Sequence, residues 1–296
     1  MRLNCVGMLT VLLGAAIVVT AQAPAPSQNP LGRQYREGQV LKYHMTGINE
    51  NWHYSIDADG IVKKDAGGAF SEEYQWINMV SEGQAVVPAP GMAEYRQRLT
   101  LDPNKNPSAP DLTRVDPKMI GPITDFMTFY VDLWLANKLG AVKKAGDHFL
   151  FRNPMPASSW ADGTRVLIGE DAIDFDMTLK SVDAAAGTAT LVMKHVPPEK
   201  SAVKLPAAWM QAPVGDGPNN WVEVQKEQNG TYTASVGEET FTVEMKVSLS
   251  DGKILSATMN NPVKTIQRVC EDEALTKCGE AKPHEILRKI EISLVQ

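Results

Sequence analysis

The stretch TFTVEMKVSL at residues 240–249 alternates apolar and polar side chains, and this alternation decides the predicted fold class. Successive side chains of a β-strand point to opposite faces, so the pattern is typical of a strand with one buried and one solvated face. The same alternation recurs at residues 173–180 and, less regularly, at residues 52–56 and 286–294. The chain is therefore predicted to be mainly β.

Turn-forming dipeptides separate the predicted strands. Asn or Asp followed by Gly favours the tight turns that join antiparallel strands. Local connections of this kind predict about ten to twelve strands in hairpins. We expect a mainly β (α+β) fold, in which a curved antiparallel meander sheet or half-barrel of long hairpins wraps around one apolar helix. The dipeptides are Asp59-Gly60, Asp162-Gly163, Asn229-Gly230 and Asp251-Gly252.

One segment, residues 124–139, follows a helical pattern instead. Thr124 is expected to cap its start and Gly140 its end, with Pro122 just outside. The apolar face is wider than a single contact surface requires, so the helix is expected to be wrapped by the sheet. The apolar residues at helical spacing are Phe126, Phe129, Tyr130, Leu133 and Trp134, beside a polar stripe of Asp125, Thr128 and Asp132.

A sheet curved around an apolar helix predicts a groove that can hold an apolar ligand. Phe129, Tyr130 and Trp134 are expected to line this groove, and Trp209 with Met210 to close it. The alternative is that these side chains simply complete the core, as aromatic residues at helical spacing usually do. The order of elements resembles the half-barrel-with-helix carriers that move lipoproteins or lipids across the periplasm, and this resemblance implies a carrier role.

Two long irregular segments are rich in proline, at residues 101–121 and 196–220. Loops of this length in a compact domain are usually functional or disordered. The aromatic content of the second segment argues against disorder. The second segment is therefore a candidate functional loop, and the first is either functional or disordered.

Acidic residues gather at Glu170, Asp171, Asp174 and Asp176. Alternation places Asp174 and Asp176 on one face of one strand, where two carboxylates can bind Ca²⁺ or share acid–base chemistry. A solvated strand surface is the alternative interpretation. The pair makes a carboxylate-dependent hydrolase of glycosides or esters an alternative function.

The N-terminus has the pattern of a secretory signal peptide. Arg2 precedes an apolar run at residues 6–19, shorter than the about 20 residues that span a bilayer, and small residues and prolines follow. Cleavage is expected after Ala21 or Ala23. The predicted organisation is a signal peptide at 1–21, a flexible Pro-rich tail at 22–35 and a single β-rich domain at 36–296, with a division near residue 155 as the alternative.

Two cysteines, Cys270 and Cys278, are left after removal of the signal peptide. A close, even pair in an exported chain predicts a disulfide. A straight helix between them would hold their Cα atoms about 12 Å apart, beyond disulfide reach, so the segment must bend. Zinc is the alternative, with His284 as the nearby histidine.

Composition and motifs restrict the function further. The net charge of −6 and the scattered Lys and Arg residues argue against nucleic acid as a partner. The mature sequence has no segment apolar enough to span lipid, and no motif for a catalytic site, a metal or a cofactor. We expect a secreted or periplasmic, non-enzymatic binding or envelope protein. Its partner is expected to be an apolar small molecule or lipid, or an envelope protein, and a structural or adhesion module is a further alternative.

Overall fold

A computed structural model describes residues 29–295. The predicted signal peptide and residues 22–28 of the predicted tail lie outside the described residues. Within them, the chain forms fifteen β-strands, one α-helix and two short 3₁₀ helices. The strands build one large antiparallel sheet that does not close, so the predicted mainly β, curved meander is confirmed.

The elements follow one another as hairpins interrupted by the helical segment. The helix α1 (Pro117–Leu139) lies between β5 and β6, and the 3₁₀ helices span Leu112–Arg114 and Ala208–Gln211. The strands are β1 (Val40–Asn49), β2 (Trp52–Lys64), β3 (Phe70–Ser81), β4 (Gln84–Ala85), β5 (Gln97–Leu99), β6 (His148–Phe151), β7 (Ser158–Asp162), β8 (Arg165–Glu170), β9 (Asp174–Asp183), β10 (Thr188–Val196), β11 (Trp221–Lys226), β12 (Tyr232–Glu239), β13 (Phe241–Ser248), β14 (Ile254–Cys270) and β15 (Lys282–Leu294).

The sheet branches at the long strand β14. Its main path runs β4-β3-β2-β1-β15-β14-β12-β11-β8-β7, and β13, β10, β9 and β6 continue from the other part of β14. β13 pairs with β14 up to Asn260, and β12 pairs with it from Val263 onward. Asn261 and Pro262, which lie between these two ladders, therefore mark the branch point.

The branching divides the buried residues into two clusters. The larger cluster lies between α1 and strands β1–β3, β9, β10, β13 and the first part of β14, and we call this the helix-containing half. The smaller cluster involves β8, β11, β12 and the end of β14 near the two cysteines, and we call this the disulfide half. One sheet thus carries two separate cores.

The helix begins at Pro117, seven residues before the start of the predicted segment. Asp116, not Thr124, is its N-cap, and its side chain accepts a hydrogen bond from the amide of Lys118 at 3.0 Å. Pro122 lies inside the helix, where it removes one early backbone hydrogen bond. Burial of Met119, one turn before, offsets this loss, because it anchors the first turn in the core. The predicted end is confirmed, since Gly140 adopts the left-handed conformation that terminates helices.

The sheet wraps the helix, as predicted. Phe126 is fully buried and meets the rings of Tyr43, Tyr74 and Trp76 edge-on, with centroids 5.0 to 5.4 Å apart. Such edge-to-face contacts add about 0.5–1.5 kcal/mol each to the stabilisation from burial. Even Asp125 from the predicted polar stripe is buried, and it accepts a hydrogen bond from Tyr54 in β2.

One predicted turn lies inside a strand. Asp59 and Gly60 belong to β2, which continues to Lys64. Gly60 serves close packing instead, because a Cβ at this position would lie 2.2 Å from the ring of Tyr74 on β3. The Asp-Gly pair therefore reflects the approach of an aromatic ring, not a reversal of the chain.

Residues 29–35, assigned to the flexible tail from the sequence, are packed against the core. Leu31 is fully buried, and Arg33 forms an ion pair with Glu72 of β3 in which both side chains are 1% exposed. Tyr35 stacks on Phe70. In the sequence alone, this N-terminal segment resembles a solvated tail because it continues a proline-rich stretch and its partners on β3 lie far along the chain.

The predicted disulfide is confirmed. Cys270 at the end of β14 is bonded to Cys278, and their Cα atoms lie 4.0 Å apart. The intervening loop bends as predicted, with Asp272 accepting hydrogen bonds from the amides of Thr276 and Lys277. The bond closes the loop that covers the core of the disulfide half.

Candidate ligand-binding cleft

A cleft of about 190 Å³ opens between α1 and the sheet edge formed by β3 and β5. Phe70, Leu99, Tyr130 and Val131 give it an apolar floor, and residues 98–108 contribute polar side chains to its rim. A cavity of about 150 Å³ accommodates benzene, whereas drug-sized ligands occupy roughly 300–1,000 Å³. The cleft therefore has room for one ring or a short alkyl chain.

A buried hydrogen-bond network fixes the floor. The Tyr130 hydroxyl donates to Glu72 at 2.5 Å, and the Tyr74 hydroxyl donates to the same carboxylate oxygen at 2.7 Å. Arg33 binds the other oxygen of Glu72 at 2.8 Å. Burial, and then the charge of Glu72, raise the pKa of Tyr130 well above its usual value, so this phenol stays a donor. The ring of Tyr130 is thereby held in one position beside the cleft.

The N-terminal segment supports the floor from behind. The rings of Tyr35 and Phe70 stack with centroids 5.6 Å apart, and the Arg33 guanidinium lies 4.6 Å from the centroid of Tyr35. The Tyr35 hydroxyl also accepts a hydrogen bond from the amide of Leu101 at 2.7 Å. Phe70 is consequently held between the cleft and a residue that is tied to the rim.

Trp134 positions the opposite wall. Its indole N–H donates to the carbonyl oxygens of Asp102 at 3.1 Å and Lys105 at 2.7 Å. Lys138, one turn later on α1, donates to the carbonyl of Pro103 at 2.7 Å. These contacts tie the loop of residues 102–108 to the helix, so Trp134 shapes the cleft through the loop. Phe129, in contrast, is fully buried in the core.

Trp209 and Met210 lie in the disulfide half, away from the other predicted ligand-lining residues. Met210 is fully buried there, and the Trp209 indole donates to the carbonyl of Leu275 at 3.2 Å. The Arg268 guanidinium lies 5.0 Å from the Trp209 ring centroid. The structure thus brings Phe129, Tyr130 and Trp134 together and places the Trp209 loop over the second core.

The rim of the cleft carries several charged side chains. Arg98 donates from Nε to the Ser71 hydroxyl at 2.7 Å, and its Nη2 lies 4.0 Å from the Asp65 carboxylate. Lys105 contributes to the rim from the tied loop. The Lys64 ammonium lies 5.5 Å from the centroid of Phe70. Cationic groups therefore outnumber carboxylates around the opening.

The two predicted acidic residues bind separate partners. Asp174 is buried, accepts a hydrogen bond from the amide of Asn153 at 2.8 Å and lies 3.6 Å from Arg152. Asp176 is bonded to Nε2 of His148 at 2.5 Å. Asp176 thereby binds β6 to β9, and Asp174 binds the segment after β6 to β9, so both carboxylates have a structural role.

A second acidic group lies where the two halves meet. Its member Glu170 belongs to the acidic cluster seen in the sequence, whereas no sequence pattern singles out Glu239. Glu170 ends β8 and Glu239 ends β12, and both are buried. Glu239 accepts a hydrogen bond from the side-chain amide of Asn261 at 3.0 Å, whereas Oε1 of Glu170 has no partner among the described residues. Burial, and then the charge of Glu223, raise the pKa of Glu170 to about 7, and burial raises that of Glu239 to about 8.

A buried His–Asp pair links the helix to the sheet. Asp132 of α1 bonds Nε2 of His195 in β10 at 2.9 Å, and the imidazole stacks on Phe241 with centroids 3.6 Å apart. Burial raises the pKa of Asp132, and His195 opposes that shift. The pair explains why a polar stripe residue of the helix faces the core.

Some of these residues carried a signal in the sequence. The length of the irregular segment at residues 101–121 is typical of a functional or a disordered loop, and this segment supplies Lys105. The contributions of Arg33, Glu72 and Arg98 arise from pairing between segments far apart in the chain, which local periodicity does not report.

Comparison with known proteins adds no assignment. No protein-family profile, characterised protein or solved structure matches the chain. Across residues 29–295, no helix is long and apolar enough to cross a membrane, and no group of three or more His, Cys, Asp or Glu side chains is arranged to hold a metal ion.

Proposed function

We propose that this chain is an exported, non-enzymatic binding protein that holds a small apolar group in the cleft beside Tyr130. The observation that carries the proposal is the cleft of about 190 Å³ against a helix that is otherwise closely packed. Small-molecule sites combine apolar surface with a few polar groups, and the apolar floor and polar rim of this cleft fit that description, so it is a candidate binding site.

Hydrogen bonds hold the walls of the cleft in place, which supports binding by a preformed site. Tyr130 is fixed by Glu72, and the loop at 102–108 is tied to Trp134. A site that is already ordered loses less conformational entropy when a ligand enters it. The volume restricts the bound part to one ring or a short alkyl chain, which can be the end of a larger molecule.

Export is supported by two independent features. The N-terminal sequence has the length and composition of a cleavable signal peptide. Disulfides persist mainly in oxidising compartments, and the Cys270–Cys278 bond is of this kind. Both features fit a secreted or periplasmic location.

Binding is tested by titrating the purified mature protein with 1-octanol, whose chain fits the cleft volume, in an isothermal calorimeter. Ala69 lines the cleft, so Ala69→Trp is expected to fill it and to weaken binding by more than about tenfold. Ala185→Trp, at the exposed end of the β9–β10 hairpin, is the matched control and should bind as the wild type does. Native mass spectrometry of the freshly purified protein shows whether a ligand accompanies it.

Two results would contradict the proposal. One is the absence of heat and of any co-purifying molecule in the wild type. The other is unchanged binding in Ala69→Trp when thermal unfolding confirms that this variant is folded.

A further inference from the structure

We propose that the ligand carries an anionic group, a carboxylate or a phosphate ester, which binds Arg98 and Lys105 at the rim while its apolar part occupies the cleft. This inference rests on the proposed binding function and specifies its ligand class. The chemistry is that of a small anionic amphiphile.

The charge at the rim is opposite in sign to that of the protein. The chain has a net charge of −6, yet Arg98 and Lys105 line the opening, with Asp65 as the one carboxylate among its lining residues. The Lys64 ammonium adds a further positive charge 5.5 Å from the centroid of Phe70. Glu72 lies deeper, where Arg33 neutralises it. A local surplus of cations on an acidic protein attracts anions to this opening and repels other cations.

The geometry of Arg98 suits an anion. Its Nε donates to the hydroxyl of the buried Ser71 at 2.7 Å, which orients the guanidinium, while about 51% of the Arg98 side chain stays exposed. The separation of 4.0 Å between Nη2 and Asp65 exceeds hydrogen-bond distance, so the terminal N–H groups keep capacity for another acceptor. A guanidinium with free terminal nitrogens binds carboxylate and phosphate oxygens in pairs.

Lys105 lies on the tied loop and completes the site. Its carbonyl is bonded to Trp134, so its position along the rim is set by the helix. Its ammonium is a compact charge at the end of a flexible side chain, so it can pair with an oxygen of the anionic head group that Arg98 does not bind. The apolar floor and the cationic rim together match a molecule with one charged end.

The test compares four ligands that share one alkyl chain, namely octanoate, octyl phosphate, 1-octanol and octylamine, by titration calorimetry. Wild-type protein is expected to bind both anions at least about tenfold more tightly than octanol, and octylamine least tightly. Raising the salt concentration from about 0.1 M to about 1 M, which shortens the screening length from about 10 Å to about 3 Å, should weaken the anions alone. The tighter of the two anions identifies the head group.

The variant Arg98→Gln with Lys105→Gln should lose the preference for anions, so that the ratio of octanoate affinity to octanol affinity falls by at least about tenfold relative to the wild type. The control Lys277→Gln with Lys282→Gln removes the same two charges from exposed positions of the disulfide half and should retain the preference. Equal affinity of the wild type for octanol and octanoate overturns this inference and leaves the proposed function standing. A preference that survives in the double variant overturns the assignment to these residues, and failure of every ligand to bind contradicts the proposed function as well.

Discussion

The two halves of the sheet are stabilised by different means. The helix-containing half buries an apolar helix among aromatic rings and a charged network centred on Glu72. The disulfide half has a much smaller core, covered by an irregular segment and closed by the Cys270–Cys278 bond. Small cores bury too little apolar surface to be stable alone, which is why covalent links accompany them.

This difference indicates which half of the molecule can contain a binding cleft. A half with a large core can tolerate an unfilled cleft, because its remaining contacts still hold the walls in place. A half with a small core lacks these additional contacts, and in the disulfide half Trp209 packs over the core. The following predictions test this contrast, beginning with the largest expected effect.

Removing one partner of the buried ion pair should destabilise the helix-containing half most. Arg33→Met leaves Glu72 buried without its cation and is expected to lower the free energy of unfolding by roughly 3–5 kcal/mol in urea titrations. Lys180→Met breaks the exposed pair with Glu244 and should cost less than about 1 kcal/mol. Equal effects of the two substitutions would show that the N-terminal segment is not part of the core.

Protonation of the carboxylates between the halves should make stability depend on pH. The pKa values of about 7 for Glu170 and about 8 for Glu239 exceed their usual value of 4.5, so the folded state binds more protons than the unfolded state between these limits. Their contribution to stability is therefore complete below about pH 4.5 and is lost as the pH rises from there through 7 to 8.

The variant Glu170→Gln with Glu239→Gln should flatten that dependence, because neutral amides replace the titrating groups. Unfolding free energies measured between about pH 5 and pH 9 in both proteins check this prediction. The control Asp59→Asn changes a partly exposed carboxylate of β2 and should preserve the slope. A double variant that keeps the full slope would assign the pH dependence to other groups.

Loss of the disulfide should destabilise one half selectively. Cys270→Ser with Cys278→Ser is expected to cost roughly 2.5 kcal/mol on the chain-entropy model for so short a loop. Hydrogen exchange should then accelerate in β11, β12 and the end of β14 and stay slow in α1. Uniform acceleration across both halves would show that they unfold as one unit.

The smallest expected effect concerns the wall of the cleft. Trp134→Phe keeps a ring in place and removes the donor to the carbonyls of Asp102 and Lys105, at a cost of about 1 kcal/mol in stability. Affinity for octanol should decrease, because the loop is no longer tied to the helix. Lys138→Met removes the neighbouring loop contact and should produce a weaker effect of the same sign.

Sequence periodicity was a good guide to the sheet and the helix, because burial of one face imposes a two-residue repeat on strands and a 3.6-residue repeat on helices. Strands such as β13 and the end of the helix at Gly140 follow directly from it. The start of the helix did not, because Pro122 is a strong stop signal that tertiary burial overrides. The turn predicted at Gly60 was wrong for a similar reason, since this position requires a glycine to make room for the Tyr74 ring on β3.

The candidate cleft was only partly accessible from the sequence. Tyr130 and Trp134 were identified through the helical repeat, since they belong to one element. Arg98 and Glu72 act through partners far along the chain, and no local pattern reveals such pairing. Trp209 was assigned to the groove because its loop is long and aromatic, and the structure places it on the other core.

The most direct test of the account is a methyl NMR titration of the mature protein with octanoate. Shifts are predicted for the methyl groups of Leu99 and Val131, which line the cleft, while those of Val222 and Val236 in the disulfide half stay unchanged. Shifts confined to the disulfide half, or no shifts at all, would contradict the claim that the cleft beside Tyr130 is the binding site.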